Sequence, residues 1–329
     1  MSGPGRPNRE SSPGEEVAKR PEGSPSSGPG RPNRESSPGE EVAKRPEGSP
    51  SSGPGRPNRE SSPQSAAASA NLAHDPRWAV VTASSQGLGF ACAEALARAG
   101  VAVCLNGRDH ARLKDAADRL ATLAPDVPVE WVAGDIVDPA TRQNLCEAVP
   151  APDILVLNVG GPAPRPLADM SADDWHAAFD ALYIPPTELL RRYLPGMRRR
   201  RWGRVVAITS SAVRAPLPGL AASTVGRLGL SGLMSCLTPE AMADGVTLNA
   251  ILPGRIMTPR QEAAIAREAA RAGINEAEQL ARFEAVIPAG RLGRADEVGA
   301  LCAFLCSAEA GYITGQHVVI DGGALPTLF

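Results

Sequence analysis

The stretch Val80-Val81-Thr82-Ala83-Ser84-Ser85-Gln86-Gly87-Leu88-Gly89 decides the fold, because an apolar run ends there in a turn of small residues that leads into helix-forming sequence. A parallel strand covered on both faces reads as a continuous apolar run, and Trp78–Val81 fits that description. From Phe90 to Ala99 the residues are strong helix formers, and Gly100 is placed to stop them. Gly87 and Gly89 admit close approach of a pyrophosphate, whose charge the N–H groups and dipole of the helix's first turn favour. A glycine pattern alone is weak evidence; a strand before it and a helix after it supply the context it requires.

Upstream of this stretch the chain repeats itself. Ser2–Pro13 returns at Ser27–Pro38 and again at Ser52–Pro63. The unit is rich in Pro, Gly, Ser and charge, and apart from Val17 and Ala18 with their copies Val42 and Ala43 it has nothing apolar to bury. Ordering it would cost chain entropy with no compensating burial, so residues 1–76 read as a disordered tail and linker. Within one repeat, Arg6, Arg9, Lys19 and Arg20 balance Glu10, Glu15, Glu16 and Glu22. The tail is read as a duplicated segment without a role of its own rather than as an interaction tether. The whole chain has 329 residues and a formal net charge of -2, which gives no electrostatic footprint for nucleic acid or an anionic membrane. No apolar segment follows Met1 as in a signal peptide, and no stretch approaches the ~20 apolar residues of a membrane span; a cytoplasmic protein is expected. Cys92, Cys104, Cys146, Cys236, Cys302 and Cys306 lack paired spacing and read as small core residues, with no metal site.

Beyond the tail, strand-like runs alternate with helix-like segments. Seven candidate strands fall at Trp78–Thr82, Ala102–Asn106, Val129–Ala133, Ile154–Asn158, Val205–Thr209, Thr247–Leu252 and His317–Ile320. Between them lie Phe90–Ala99, Ala111–Leu123, Ala140–Ala148, Ala172–Met197, Leu220–Ala243 and Ala295–Ser307. Right-handed crossovers then give an α/β fold: one Rossmann-type domain over 77–329, with a doubly wound parallel sheet of seven strands and a ligand crevice at their carboxyl ends.

In such a fold a carboxylate about 20 residues past the glycines grips the ribose 2′-hydroxyl of NAD, whereas a basic residue accommodates the 2′-phosphate of NADP. Strand two ends Asn106-Gly107-Arg108, with no carboxylate before Asp109, so Arg108 favours NADP. Strand three ends Gly134-Asp135-Ile136. Asp135 is either an acceptor for the adenine amino group or a helix N-terminal residue.

These residues together resemble the short-chain dehydrogenase/reductase (SDR) family. The resemblance rests on the turn at 82–89, Asp135, Asn158-Val159-Gly160-Gly161, Gly203-Arg204-Val205-Val206 leading to Ser210-Ser211, Pro253-Gly254 with Thr258, Gly315-Gln316 and Asp321-Gly322-Gly323. It covers residues 77–329. It implies that NADP(H) is held by Thr82, Ser84, Ser85, Gln86, Gly87, Leu88, Gly89, Arg108, Asp135, Ile136, Asn158, Gly160, Arg227, Pro253, Gly254 and Thr258. It also implies interconversion of a carbonyl and an alcohol, similar in outline to 3-oxoacyl carrier-protein reductases, with a small-molecule or acyl-thioester substrate. A homotetramer or homodimer packed through the long helices is implied too. Ala83 stands where the family's turn has glycine, and is strained if that position needs a positive φ.

The catalytic positions depart from the family. Its pattern has a proton-donating Tyr, a Lys four residues later, a Ser about thirteen residues earlier and an Asn on the preceding helix. Laid on this chain without gaps, it places Ser223 at the tyrosine, Arg227 at the lysine, Ser210 at the serine and Leu182 at the asparagine. A phenol has a pKa of about 10 and a nearby cation lowers it; a serine hydroxyl is a far weaker acid. The candidate catalytic set is therefore Ser210 and Ser223 as hydrogen-bond donors to a developing alkoxide, with Arg227 gripping ribose. Tyr183 and Tyr193 on the long helix read as packing or surface residues rather than relocated acids.

Two alternatives follow: a reductase using water or substrate as proton source, or a catalytically degenerate member acting as a dinucleotide sensor or oligomer partner. A serine hydrolase fails, because no Gly-x-Ser-x-Gly elbow is present and His74, His110, His176 and His317 lie outside any triad pattern. Arg198–Arg201 reads as a solvated helix end, not an anion site. The region from Pro259 to Val286 reads as a lid over the substrate, with Gln261, Arg267 and Phe283 as candidates for substrate choice.

Overall fold

The alternation of burial along the first strand shows how the molecule is layered. In this computed structural model, which describes residues 76–326, Ala79 and Val81 pack into one apolar cluster and Val80 into another on the opposite face. Both faces are covered, which is why the strand carries no polar residue at alternate positions. The repeat tail expected over 1–76 lies, except for Pro76, outside the described residues.

The strands are β1 (Trp78–Val81), β2 (Ala102–Gly107), β3 (Val129–Ala133), β4 (Ile154–Asn158), β5 (Gly203–Ile208), β6 (Val246–Pro253), β7 (Ile256–Met257), β8 (Gly293–Arg294) and β9 (His317–Ile320). The helices are α1 (Gly87–Arg98), α2 (His110–Leu123), α3 (Pro139–Ala148), α4 (Ala172–Leu182), α5 (Ile184–Arg200), α6 (Ala221–Ala243), α7 (Pro259–Ala272), α8 (Glu276–Ala285) and α9 (Ala295–Cys306). Seven strands form one parallel sheet in the order β3-β2-β1-β4-β5-β6-β9. All seven coincide with expected strands to within two residues at either end. The direction of winding reverses between β1 and β4, where Val81 pairs with Leu105 on one side and Val156 on the other. That switch point opens the crevice at the carboxyl ends.

Helices α1, α2 and α9 cover one face and α3, α5 and α6 the other. In α2 the buried residues Leu113, Ala116, Ala117 and Leu120 recur at helical spacing, and the Asp109 side chain starts the helix by accepting from Arg112 N at 3.0 Å. Each fully buried leucine of that stripe contributes about 2 kcal/mol of hydrophobic free energy. The thiols of Cys92, Cys302 and Cys306 meet between α1 and α9 within this core, buried and free, as packing residues.

Two expectations need correction. The single helix expected over Ala172–Met197 is two helices that meet at Tyr183. Pro185 and Pro186 have no N–H to give to a preceding turn, and both are accommodated in the first turn of α5, where N–H groups have no intrahelical partner. The short ribbon of β7 and β8, with Met257 opposite Arg294, was not anticipated, since two-residue strands carry no periodic signal. It ties together the two ends of the segment that carries α7 and α8. That segment has its own small core of Ile265, Phe283, Ile287 and Leu292.

Candidate active site

The glycine turn is built by side chains that serve the turn itself. The Thr82 hydroxyl donates to Asn158 O at 2.7 Å and accepts from Asn158 N at 2.9 Å, which joins the ends of β1 and β4. Ser84 is fully buried; its hydroxyl donates to Val81 O at 2.7 Å and accepts from Asn106 N at 3.0 Å, while its own N–H donates to Asn106 O. Thr82 and Ser84 thus hold the loop and offer no free donor to a ligand. Asn158 Nδ2 donates to Ala83 O at 3.0 Å.

Ala83 adopts φ 46°, the left-handed region, so the strain anticipated for an alanine there is present. Gly87 is left-handed as well. A Cβ on Gly89 would lie 2.7 Å from Asn158 Nδ2 and 2.9 Å from Ser84 Cα, so no side chain fits. Gln86 caps α1 with extended backbone and makes no side-chain capping bond, and Ser85 and Gln86 flank the opening. The first-turn N–H groups of Gly87, Leu88 and Gly89 are therefore available to an anion. Thr258 stands over this turn, its methyl 3.7 Å from the place of a Cβ on Gly87, and its hydroxyl caps α7 by accepting from Gln261 N. At the end of β6, Gly254 N donates to Ile320 O, and a Cβ on Gly254 would lie 2.6 Å from Asp321 Cβ, so Pro253-Gly254 is locked to the C-terminal turn.

The adenosine side is more open. Arg108 is 81% exposed and makes one long contact, 3.8 Å, with Asp135. The Asp109 carboxylate is committed to the cap of α2, and those backbone hydrogen bonds hold its pKa below the usual carboxylate range. The Asp109 carboxylate thus serves the helix start, and the 3.8 Å contact with Asp135 is the ion pair Arg108 makes among the described residues. Asp138, not Asp135, caps α3; Asp135 folds back onto Val137 N at 3.0 Å. Of the two roles left open for Asp135, the helix-capping one is thus filled by its neighbour. Ile136 is buried in the sheet's second core.

Of the catalytic candidates, Ser223 and Arg227 meet near the start of α6. One turn apart on α6, Arg227 Nε donates to Ser223 Oγ at 3.4 Å. Arg227 Nη1 donates to Ile208 O and Thr209 O, both at 3.0 Å, and Nη2 to Val159 O at 3.2 Å. The guanidinium thus pins the ends of β4 and β5 to α6. Burial, and then the neighbouring Arg260, bring its pKa down to about 10, so it remains charged at neutral pH. Ser210 follows Thr209, and its hydroxyl accepts from Ala212 N at 3.1 Å to start a short 3-10 turn. Leu182, at the asparagine position, is fully buried against Gly226. Ser223 lines a cavity of about 290 Å³ between the Gly160–Arg165 loop, α4 and the start of α6.

Several residues weighed from the sequence lie elsewhere. Tyr193 is buried in the sheet core beside Cys146, and burial raises its phenol pKa far above the ordinary value. Tyr183 packs on Gly229. His110 rests edge-on against Trp131, His176 is exposed on α4, and His317 lies on β9 with Arg214 bonded to its carbonyl. Arg198 and Arg201 pair with Asp244, and Arg200 with Asp153. Phe283 belongs to the small core of the α7–α8 segment, with the Arg255 guanidinium 3.6 Å from its ring centre. Among the described residues no group of side chains is arranged to hold a metal, and no helix is long and apolar enough to cross a membrane.

Sequence reasoning passed over Arg260. It projects from the first turn of α7 to the loop after β4, donating to Pro162 O at 3.3 Å. A signal was there, since a cation in a helix's first turn opposes the dipole and needs another reason to be present.

Comparison with known proteins agrees with the fold. Residues 82–324 match the family model described as enoyl-(acyl carrier protein) reductase. The D-beta-hydroxybutyrate dehydrogenase of Rhizobium meliloti is 30% identical over 253 residues, covering 74% of this chain and 97% of that protein. The 3-oxoacyl-[acyl-carrier-protein] reductase FabG of Salmonella typhimurium is 30% identical over 249 residues, covering 74% and 96%. The crystal structure of L-sorbose reductase from Gluconobacter frateurii, complexed with NADPH and L-sorbose, superposes with a TM-score of 0.73 at 29% identity, covering 77% of this chain and 98% of that one. The chain belongs to the short-chain dehydrogenase/reductase family of oxidoreductases.

Proposed function

We propose that this protein is an NADPH-dependent reductase that interconverts a carbonyl and an alcohol, with residues 77–329 as the working domain. The observation that carries the reading is the Ser223 hydroxyl, held by Arg227 at 3.4 Å and lining the cavity beside Gly160 and Gly161. The uncapped start of α1 over Gly87 and Gly89 fits a pyrophosphate, and exposed Arg108 beside the committed carboxylate of Asp109 fits a 2′-phosphate. The NADPH carried by the L-sorbose reductase relative supports the same cofactor.

When bound, NADPH supplies the hydride. The chain's own residues supply the rest. Because Arg227 donates to Ser223 Oγ, the serine's own proton points away from the guanidinium and is free for the carbonyl oxygen. It stabilises negative charge as the alkoxide forms, with the Arg227 cation behind it. Ser223 is too weak an acid to give up its proton outright, so the alkoxide takes a proton from water. Ser210, which follows the Thr209 whose carbonyl Arg227 binds, is a second donor on the oxygen. Exposed apolar residues on α4, α5 and α6, among them Phe179, Ile184, Val225 and Leu228, support assembly of copies through these helices.

The test is NADPH and NADH titration of the full chain by nicotinamide fluorescence, followed by NADPH consumption over a ketone panel. Tight NADPH binding with turnover above a Ser210→Ala control is expected. Tight binding with no turnover on any ketone would instead support the sensor reading.

A further inference from the structure

The strongest unexplained feature of the molecule is positive charge without a partner at the mouth of the cleft. Arg227 and Arg260 converge on Gly161, their Nη2 atoms 3.3 and 3.6 Å from the place of a Cβ on that residue. Neither makes an ion pair among the described residues; their bonds go to the neutral carbonyls of Ile208, Thr209, Val159 and Pro162 and to the Ser223 hydroxyl. By contrast, Arg291 and Arg294, just before α9, are paired, Arg291 with Glu297 at 2.7 Å and Arg294 with Asp296 at 3.0 Å.

Arg260 carries three penalties at once. It opposes the dipole of α7, it faces Arg227, and desolvation and then Arg267 lower its pKa. The carboxylate within the cavity lining, Asp174, cannot relieve this. Its Oδ1 is taken by Arg165 at 2.6 Å and its Oδ2 by the backbone N–H and hydroxyl of Ser171, both at 2.9 Å. Apart from Arg165, Asp174 and Ser223 the cavity wall is apolar, including Met170, Ala177, Ala181 and Leu220.

Resting on the reductase reading above, we propose that Arg260, backed by Arg227, is the specificity-determining residue for a carboxylate on the substrate, which is a free oxo acid with a short apolar chain. The carboxylate meets the exposed guanidinium of Arg260 in the gap left by Gly160 and Gly161, the carbonyl oxygen meets Ser223, and the chain enters the apolar cavity. An acyl thioester has no free carboxylate to place there and loses this contact. Reduction balances as a hydride to the carbonyl carbon, the π electron pair to oxygen, and a proton from water to the alkoxide, giving the hydroxy acid and NADP+.

The test pairs acetoacetate with methyl acetoacetate, and pyruvate with methyl pyruvate, on the full-length protein and its Arg260→Gln and Arg260→Lys variants. Wild type is expected to favour an acid over its ester at least tenfold in kcat/KM. Arg260→Gln should raise KM for that acid at least tenfold with little change for the ester or in the NADPH dissociation constant, and Arg260→Lys should recover part of the loss. Equal rates for acid and ester in the wild type would overturn the proposal. So would weaker NADPH binding in Arg260→Gln with acid and ester equally affected, since the anion would then be a cofactor phosphate. Calorimetry of acetoacetate and pyruvate with the NADP+ complex separates this proposal from the reductase reading. Binding of an acid that Arg260→Gln abolishes, without turnover, would keep the anion site and remove the reductase; turnover of neutral ketones with no acid binding would do the reverse.

Discussion

Arg227 and Ser223 lie one turn apart on α6 with Nε and Oγ 3.4 Å apart, and the same guanidinium binds the carbonyls of Ile208 and Thr209 at the end of β5 and of Val159 just past β4. The residue that polarises the serine is thus also the residue that fixes the strand ends around it. Replacing Ser223 with Ala should leave this scaffold intact and remove one donor to the alkoxide. The expected loss is about a hundredfold in kcat with the NADPH dissociation constant unchanged, measured by steady-state rates and fluorescence titration.

The pair Ser223→Tyr with Arg227→Lys restores the family's acid. A rise in rate is expected in the double variant if the natural site lacks only a proton donor, and a fall if Ser223 and Arg227 are the working arrangement. The tie from Arg227 to three backbone carbonyls argues for the fall, because a lysine ammonium cannot reproduce that fork. The readout is kcat on the best ketone alongside the melting temperature.

Under the proposed NADPH reading, cofactor choice should depend on Arg108. Its guanidinium is exposed and makes one long contact with Asp135, so Arg108→Ala should not alter stability. It should weaken NADPH binding roughly tenfold or more while leaving NADH binding as it was, the loss being one charge-assisted contact to phosphate. Parallel titrations with the two cofactors check this.

Ala83 and Gly89 should respond in opposite ways. At φ 46°, Ala83→Gly relieves about 1–2 kcal/mol of left-handed strain against about 0.5–1 kcal/mol of added unfolded-chain entropy, so a small gain in denaturant stability is expected. Gly89→Ala puts a Cβ 2.7 Å from Asn158 Nδ2, and should abolish NADPH binding even where the variant folds.

Acid stability should depend on Glu297. Its carboxylate accepts from Arg291 at 2.7 Å and from Arg294 N at 2.7 Å, and these bonds, Arg291 first, bring its pKa from the usual 4.5 to about 2. A carboxylate lowered on folding contributes stability that is complete above the unfolded value and is lost as pH falls toward the folded one. Between about pH 4.5 and 2 the wild type should therefore lose more stability than Glu297→Gln, as read from urea midpoints across that range.

The sequence by itself determined the sheet. Runs such as Ala102–Gly107 and Val205–Ile208 are apolar on both faces because helices cover both, and that pattern is local and continuous. The turn at 82–89 was legible for the same reason: its glycines, the strand before and the helix after are adjacent in the chain. The break at Tyr183 was also written there, in Pro185 and Pro186, though the apolar spacing on either side masks it.

Only the tertiary structure decided which side chains at the crevice keep free hydrogen-bonding groups. Ser84 and Thr82 read as cofactor contacts, yet they spend their hydroxyls on the backbone of β1, β2 and β4, whose closeness no local pattern encodes. Phe283, weighed as a residue setting substrate choice, packs instead into the small core of the α7–α8 segment. The convergence of Arg260 with Arg227 joins α7 and α6 across the loop at Gly161, residues far apart in the chain. A pattern read along the chain reports which face of an element is apolar; where charges from separate elements meet is set by the packing of those elements.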